Sequence, residues 1–148
     1  MMIRRTFIFL LLSSLLVLAC ELSASQEQEL NRQSGLYLRA VRTESIISVV
    51  AMTHPKVVRY AQQKGDAYFR DFFSNDKIGS WNLYGTPVVN QVKKKGRRLE
   101  VHYLMEGEGE KKGALVAISE DEGLHWFFVP KKIYMNKNVA PGLVRLLK

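Results

Sequence analysis

The sequence predicts an α+β domain in which N-terminal helices pack on an antiparallel sheet, and three observations predict it. Apolar residues recur at helical spacing through residues 36–74. From Ser80 onward the period changes to alternation and short apolar runs separated by turn residues. Residues 113–130 read as a complete β-hairpin. Helices first and a meander second make a two-layer arrangement.

The first helix is expected over residues 36–52, where Leu36, Ala40, Ile47, Val50 and Ala51 share a face and Arg39, Arg42 and Glu44 take others. Thr53-His54-Pro55 ends it, because the residue before a proline is pushed out of the α region and Pro55 suits the opening turn of a second helix, residues 56–62. Gly65 breaks the chain, and Asp66 supplies a capping carboxylate for a third helix over residues 67–74 that carries Tyr68, Phe69, Phe72 and Phe73.

Residues 81–92 read as a long, bent strand in which Gly85 and Pro87 mark a bulge or an edge. A charged turn over residues 93–96, a second strand over 97–106 and a Gly/Glu/Lys turn over 107–112 follow. Strands at 114–119 and 124–129 complete the meander. Residues 131–137 are expected to extend the sheet, and residues 139–147 to form a closing helix.

Within the last hairpin, Ser119, Asp121, Gly123 and Trp126 have the spacing S-x-D-x-G-x-x-W. The spacing resembles the Asp-box, a structural hairpin motif of sialidase-type propellers. The resemblance implies that the Ser and Asp side chains bond turn amides while the aromatic ring packs beneath. One such turn cannot build a propeller, so it implies no glycosidase activity.

Residues 1–19 read as an address rather than part of the fold. Arg4 and Arg5 precede an apolar run too short to span a bilayer comfortably, which is the anatomy of a signal peptide. Val17-Leu18-Ala19-Cys20 resembles the bacterial lipobox, which implies cleavage before Cys20 and lipidation of its sulfur and new amino group. Cys20 is the chain's single cysteine, so no internal disulfide can form. Glu21 in place of Asp resembles outer-membrane sorting in Gram-negative envelopes. On this reading residues 20–35 are the lipidated Cys and a polar tether, turning helical near its end and reaching roughly 20 Å as a flexible coil, and residues 36–148 are a single domain. The bilayer is then a partner through Cys20.

The formal charge of the 148 residues is +8, and losing Arg4 and Arg5 leaves +6. An exported protein meets little nucleic acid, so the expected partners are an anionic envelope polymer, anionic lipid heads or an acidic protein. Lys93, Lys94, Lys95, Arg97 and Arg98 concentrate cations at a hairpin turn. They read either as a solubilising turn that discourages edge pairing or as a contact patch for an anionic surface.

The order of helices, the residues Thr53-His54-Pro55-Lys56, the break at Gly65 and the late Asp121-to-Trp126 turn resemble bacterial members of the nuclear-transport-factor-2-like superfamily. The resemblance covers residues 36–147 and implies a strongly curved sheet that wraps helices into a cone. In catalytic members, isomerases and dehydratases, the cone holds an Asp or His base with acids nearby. Alternation along residues 99–105 puts Glu100, His102 and Leu104 on one face. His102, Tyr84 and Tyr103 are therefore pocket candidates, with His54, Asp66 and Asp71 as further acid-base groups. The competing expectation is that His102 and Glu100 lie on a solvated face and His54 shapes a helix junction.

No phosphate loop, nucleophile elbow, repeat or metal-ligand histidine spacing is present in the sequence, and no cofactor or metal is expected. The leading function is a membrane-anchored, non-catalytic binding or accessory lipoprotein of the envelope. A pocket enzyme and an inhibitor or immunity factor are the alternatives.

Overall fold

A computed structural model describes residues 22–107, 113–135 and 143–147. Helices α1 (Ala24–Arg42), α2 (Ile46–Met52), α3 (Pro55–Gln63), α4 (Asp66–Phe72) and α5 (Asn75–Gly79) precede the sheet. Strands β1 (Thr86–Lys95), β2 (Arg98–Glu106), β3 (Ala114–Ser119) and β4 (Phe127–Pro130) form it, and α6 (Lys131–Met135) and α7 (Leu143–Leu147) follow. The strands pair antiparallel in sequence order, so the expected α+β class and meander are correct.

The N-terminal boundary differs from expectation. Residues 24–33, read as tether from their polar composition, are the first half of α1. Ser23 and Gln26 make a capping box: the Ser23 hydroxyl accepts the Gln26 N–H at 3.2 Å, and Gln26 Oε1 accepts the Ser23 N–H at 2.9 Å. Leu30, Ser34, Tyr37, Leu38 and Val41 are its buried stripe. One leucine and one alanine among eight polar residues are too thin a signal for composition to reveal.

The expected helix over residues 36–52 is two helices, because Thr43 caps α1 and Glu44 takes a left-handed φ of 56° before α2 begins. Pro55 opens α3 as expected, and Gly65, at φ 104°, separates α3 from α4. Gly65 itself occupies the N-cap of α4, and Asp66 sits in the first turn without capping it. Ser74 caps a further short helix, α5, that the sequence reading lacked.

The strand expected from Trp81 begins instead at Thr86, and Trp81 is buried in the turn after α5. β1 continues through Lys95, leaving Gly96-Arg97 as the turn. β1 is an edge strand with an irregularity between Val89 and Gln91, which agrees with the reading of Pro87 as an edge residue. The loop after β3 is longer than expected, since β4 starts at Phe127 and not near Leu124.

The register assigns the two faces of the sheet. Leu99, Val101, Tyr103 and Met105 of β2 share a face with Leu115 and Ala117 of β3 and Phe128 of β4. Tyr37 of α1 stacks on Phe128 there, ring centroids 4.8 Å apart. Glu100, His102, Val116, Ile118 and Val129 share the opposite face, and it too is covered. Residues 131–135 turn helical instead of extending the sheet, and α6 packs on β3 and β4 while α7 packs on α6 and α3. The arrangement is therefore helix, sheet, helix rather than two layers. The α2–α3 junction protects the β4 edge: Thr53 bridges Phe128, whose carbonyl accepts the His54 N–H at 3.1 Å.

Candidate functional site

The Ser119–Trp126 turn is built as the Asp-box resemblance implied. The Ser119 hydroxyl accepts the Gly123 N–H at 2.8 Å and donates to Asp121 Oδ1 at 2.8 Å, and the same Asp121 oxygen accepts the His125 N–H at 2.9 Å. Trp126 is buried beneath, donating its indole N–H to the Gly123 carbonyl at 3.0 Å. Gly123 is obligatory: its φ is 90°, and a Cβ there would sit 2.9 Å from the Gln26 side chain. Burial works against the Asp121 charge, but bonds from His125 and Ser119 outweigh it and hold the carboxyl down at about 2.

Two glutamines of α1 clamp this turn, and sequence reasoning missed both. Gln26 Nε2 donates to the Glu122 carbonyl at 2.9 Å, and Gln33 Oε1 accepts the Trp126 N–H at 2.8 Å. Gln33 belongs to no local motif and the capping box of Gln26 does not announce a bond to a distant turn, so only tertiary contact identifies the clamp.

The face carrying Glu100 and His102 is the largest correction at the level of side chains. It is not solvated: Glu100 is 7% exposed and His102 5%. Glu100 Oε1 accepts from His102 Nε2 at 2.6 Å and from the Tyr134 hydroxyl at 2.7 Å, while Oε2 accepts from Arg98 at 3.3 Å. Arg98 also donates to Glu120 Oε1 at 2.6 Å and to the Leu147 carbonyl. Burial pushes the Glu100 pKa up, yet the donors Tyr134, His102 and Arg98 prevail and keep it below the ordinary carboxylate value. Burial and the Glu100 charge push the Tyr134 hydroxyl up to about 12. The result is a buried anion with three donors, an arrangement that orders α6 and α7 on the sheet.

The pocket candidates do not come together. Tyr103 projects from the opposite face of β2 to His102, buried near Ser34, and Tyr84 is exposed ahead of β1. The His102 ring is closed off edge-on by Tyr134, 5.8 Å away. His54 is the N-cap of α3, its Nδ1 accepting the Lys56 N–H at 3.2 Å, which agrees with a junction role. Asp66 and Asp71 lie exposed on α4, away from these groups. Among the described residues no cluster could hold a metal ion.

The five cations of the basic run also divide. Lys93, Lys94 and Lys95 are exposed on the edge strand. Arg97 pairs with Glu122 at 3.7 Å, and Arg98 turns inward to the buried network. A shallow cavity of 250 Å³ joins the three lysines and Arg98 to Glu100 and Tyr134. Cys20 lies outside the described residues, as does most of the 107–112 turn.

One end of the molecule gathers several of these parts. The Glu122 N–H donates to the Arg97 carbonyl at 2.9 Å, while the Glu122 carbonyl accepts from Gln26. The start of α1, the Ser119–Trp126 turn and the tip of the basic hairpin are thus neighbours. No family model, curated protein or solved structure matches the chain.

Proposed function

We propose that this chain is a membrane-anchored envelope lipoprotein whose domain is a non-catalytic binding module, held with its basic hairpin against an anionic surface. The observation that carries the reading is the meeting of α1's first turn and the β1–β2 hairpin through Glu122. Cys20 precedes the Ser23 cap by three residues, a stretch of at most roughly 10 Å. A lipid on Cys20 then brings Lys93, Lys94 and Lys95 close to the headgroups, where each cation contributes about 1 kcal/mol against an anionic leaflet. The short reach replaces the longer tether that composition suggested.

The remaining parts of the reading are consistent with this. Among the described residues no helix is long and apolar enough to cross a membrane. Lipidation at Cys20 is the proposed means of attachment. Helices leading into a four-strand meander follow the order of a nuclear-transport-factor-2-like cone, and the irregularity in β1 offers a source of curvature. The engagement of Glu100 with Arg98, His102 and Tyr134 favours a structural role for the histidine over acid-base work.

Dye placement tests the orientation. Lys94→Cys lies near one end of β1 and Tyr84→Cys just ahead of the other, and the strand between them spans about 25 Å. In vesicles of anionic lipid carrying a headgroup quencher, the lipidated protein labelled at position 94 should be quenched and that labelled at 84 should not. Equal quenching, or the reverse order, overturns the proposal.

A further inference from the structure

A second cleft lies at the other end of the sheet, and it has the makings of a small-molecule site. Its volume is 360 Å³, within the range of ligand pockets. Phe72 of α4, Trp81 and Ile133 of α6 form a buried apolar floor, and Tyr68 forms a wall by stacking on Phe72 at 5.9 Å. The position of Trp81 is fixed by backbone. A Cβ on Gly113 would lie 2.0 Å from the Asn82 carbonyl oxygen and 2.9 Å from that of Trp81, so only glycine lets the chain following Trp81 pass against the start of β3.

The rim is cationic. Lys132 reaches across to donate to the Ser80 carbonyl at 2.8 Å, which leaves two of its three N–H donors for other acceptors. Lys77 stands on the same rim, 3.8 Å from Asp71. Asp71 offsets one ammonium, so the cleft has one cation in excess above an aromatic floor. An aryl or alkyl body gains by covering Phe72 and Ile133, and a terminal anion gains from Lys132 and Lys77.

We propose that this cleft binds a small amphiphilic anion, its apolar body on the Phe72–Trp81–Ile133 floor and its carboxylate or phosphate between Lys132 and Lys77. The site is independent of the anchoring reading, since it lies at the end of the sheet away from the Gly96-Arg97 turn.

Titration calorimetry on the full chain tests it with three probes that share one ring system: naphthoate, naphthyl phosphate and neutral naphthamide. At least one anionic probe should bind, and naphthamide should bind it about fivefold more weakly or worse, the factor expected of one partly exposed ion pair. Lys132→Met and Lys77→Met should each weaken the anion by about that factor and leave naphthamide unchanged. Asp71→Asn, on an exposed side chain, should tighten the anion by freeing Lys77. Tyr68→Ala should weaken all three probes. Whichever anion binds tighter distinguishes a carboxylate from a phosphate ligand. No heat from any probe at its solubility limit, equal affinity for naphthoate and naphthamide, or an Asp71→Asn variant that binds anions more weakly would each overturn the proposal.

Discussion

The side-chain oxygen of Gln33 accepts the backbone N–H of Trp126 at 2.8 Å, across 93 residues of chain. This bond and its neighbour at Gln26 attach α1 to the Ser119–Trp126 turn, so the polar segment preceding the expected domain is one of its structural members. Gln33→Ala leaves a partly buried N–H without its acceptor and is expected to cost about 1–3 kcal/mol in denaturant unfolding. Deleting residues 22–33 also strips Leu30 from the core and should abolish a cooperative melt. A deletion variant that melts like the parent would restore the tether reading.

Within the turn itself, Trp126→Ala should cost about 3–5 kcal/mol because the ring is buried, and Asp121→Ala about 0.5–2 because it holds a turn amide and the Ser119 hydroxyl. Neither should alter vesicle binding beyond the loss of folded protein. Chemical denaturation of the two variants measures the difference.

His54 makes stability depend on pH. Burial, then the nearby charges of Lys56, Arg98 and Arg59, lower its pKa to about 4, and Glu120, 3.9 Å away, does not offset them. A histidine titrates at about 6.5 when unfolded, so between that pH and 4 the unfolded chain binds the proton and the folded one does not. Stability is therefore full above neutrality and falls as pH drops through this window, by on the order of 3 kcal/mol at most. His54→Asn keeps a good N-cap and should flatten the slope. Melting temperatures of parent and variant from pH 7 to about 4 decide it; parallel curves would count against the assignment.

The buried anion predicts an asymmetry. Glu100→Ala removes the acceptor shared by His102, Tyr134 and Arg98 and should destabilise by about 3–5 kcal/mol, whereas Tyr134→Phe removes one donor and should cost about 1–3. Hydrogen exchange should show α6 and α7 loosening first in the Glu100 variant. Loss of stability spread evenly over α1 would contradict the role given to Glu100.

Attachment and electrostatics separate cleanly. Cys20→Ser should leave the protein unlipidated, with slowed or absent signal cleavage, as intact mass and detergent partitioning will show. Lys93, Lys94 and Lys95 changed together to Gln should weaken binding of the anchor-free domain to anionic vesicles while its melting temperature stays close to the parent's, since all three are exposed. Salt should weaken the parent similarly, because exposed charges are screened over about 10 Å at 0.1 M ionic strength. Arg98→Gln, by contrast, should lower the melting temperature, because Arg98 belongs to the buried network.

Sequence alone determined the class and much of the chain's punctuation. Periodicity separated helix from strand, Pro55 and Gly65 marked real helix boundaries, Pro87 marked an edge strand, and the resemblance of S-x-D-x-G-x-x-W to the Asp-box implied a turn whose bonds lie within eight residues. These features are local, and local chemistry is written in neighbouring residues. Tertiary structure alone decided that Glu100 and His102 are buried, because alternation assigns a residue to a face without saying what covers that face. The cover is α6 and α7, built from residues that propensity read partly as strand. It also decided that residues 24–33 belong to the fold, since Gln26 and Gln33 tie α1 to a turn 96 and 93 residues away and Leu30 becomes core only once the rest of the fold buries it. Burial and long-range hydrogen bonding are properties of pairs, and a single chain read in order shows only one member of each.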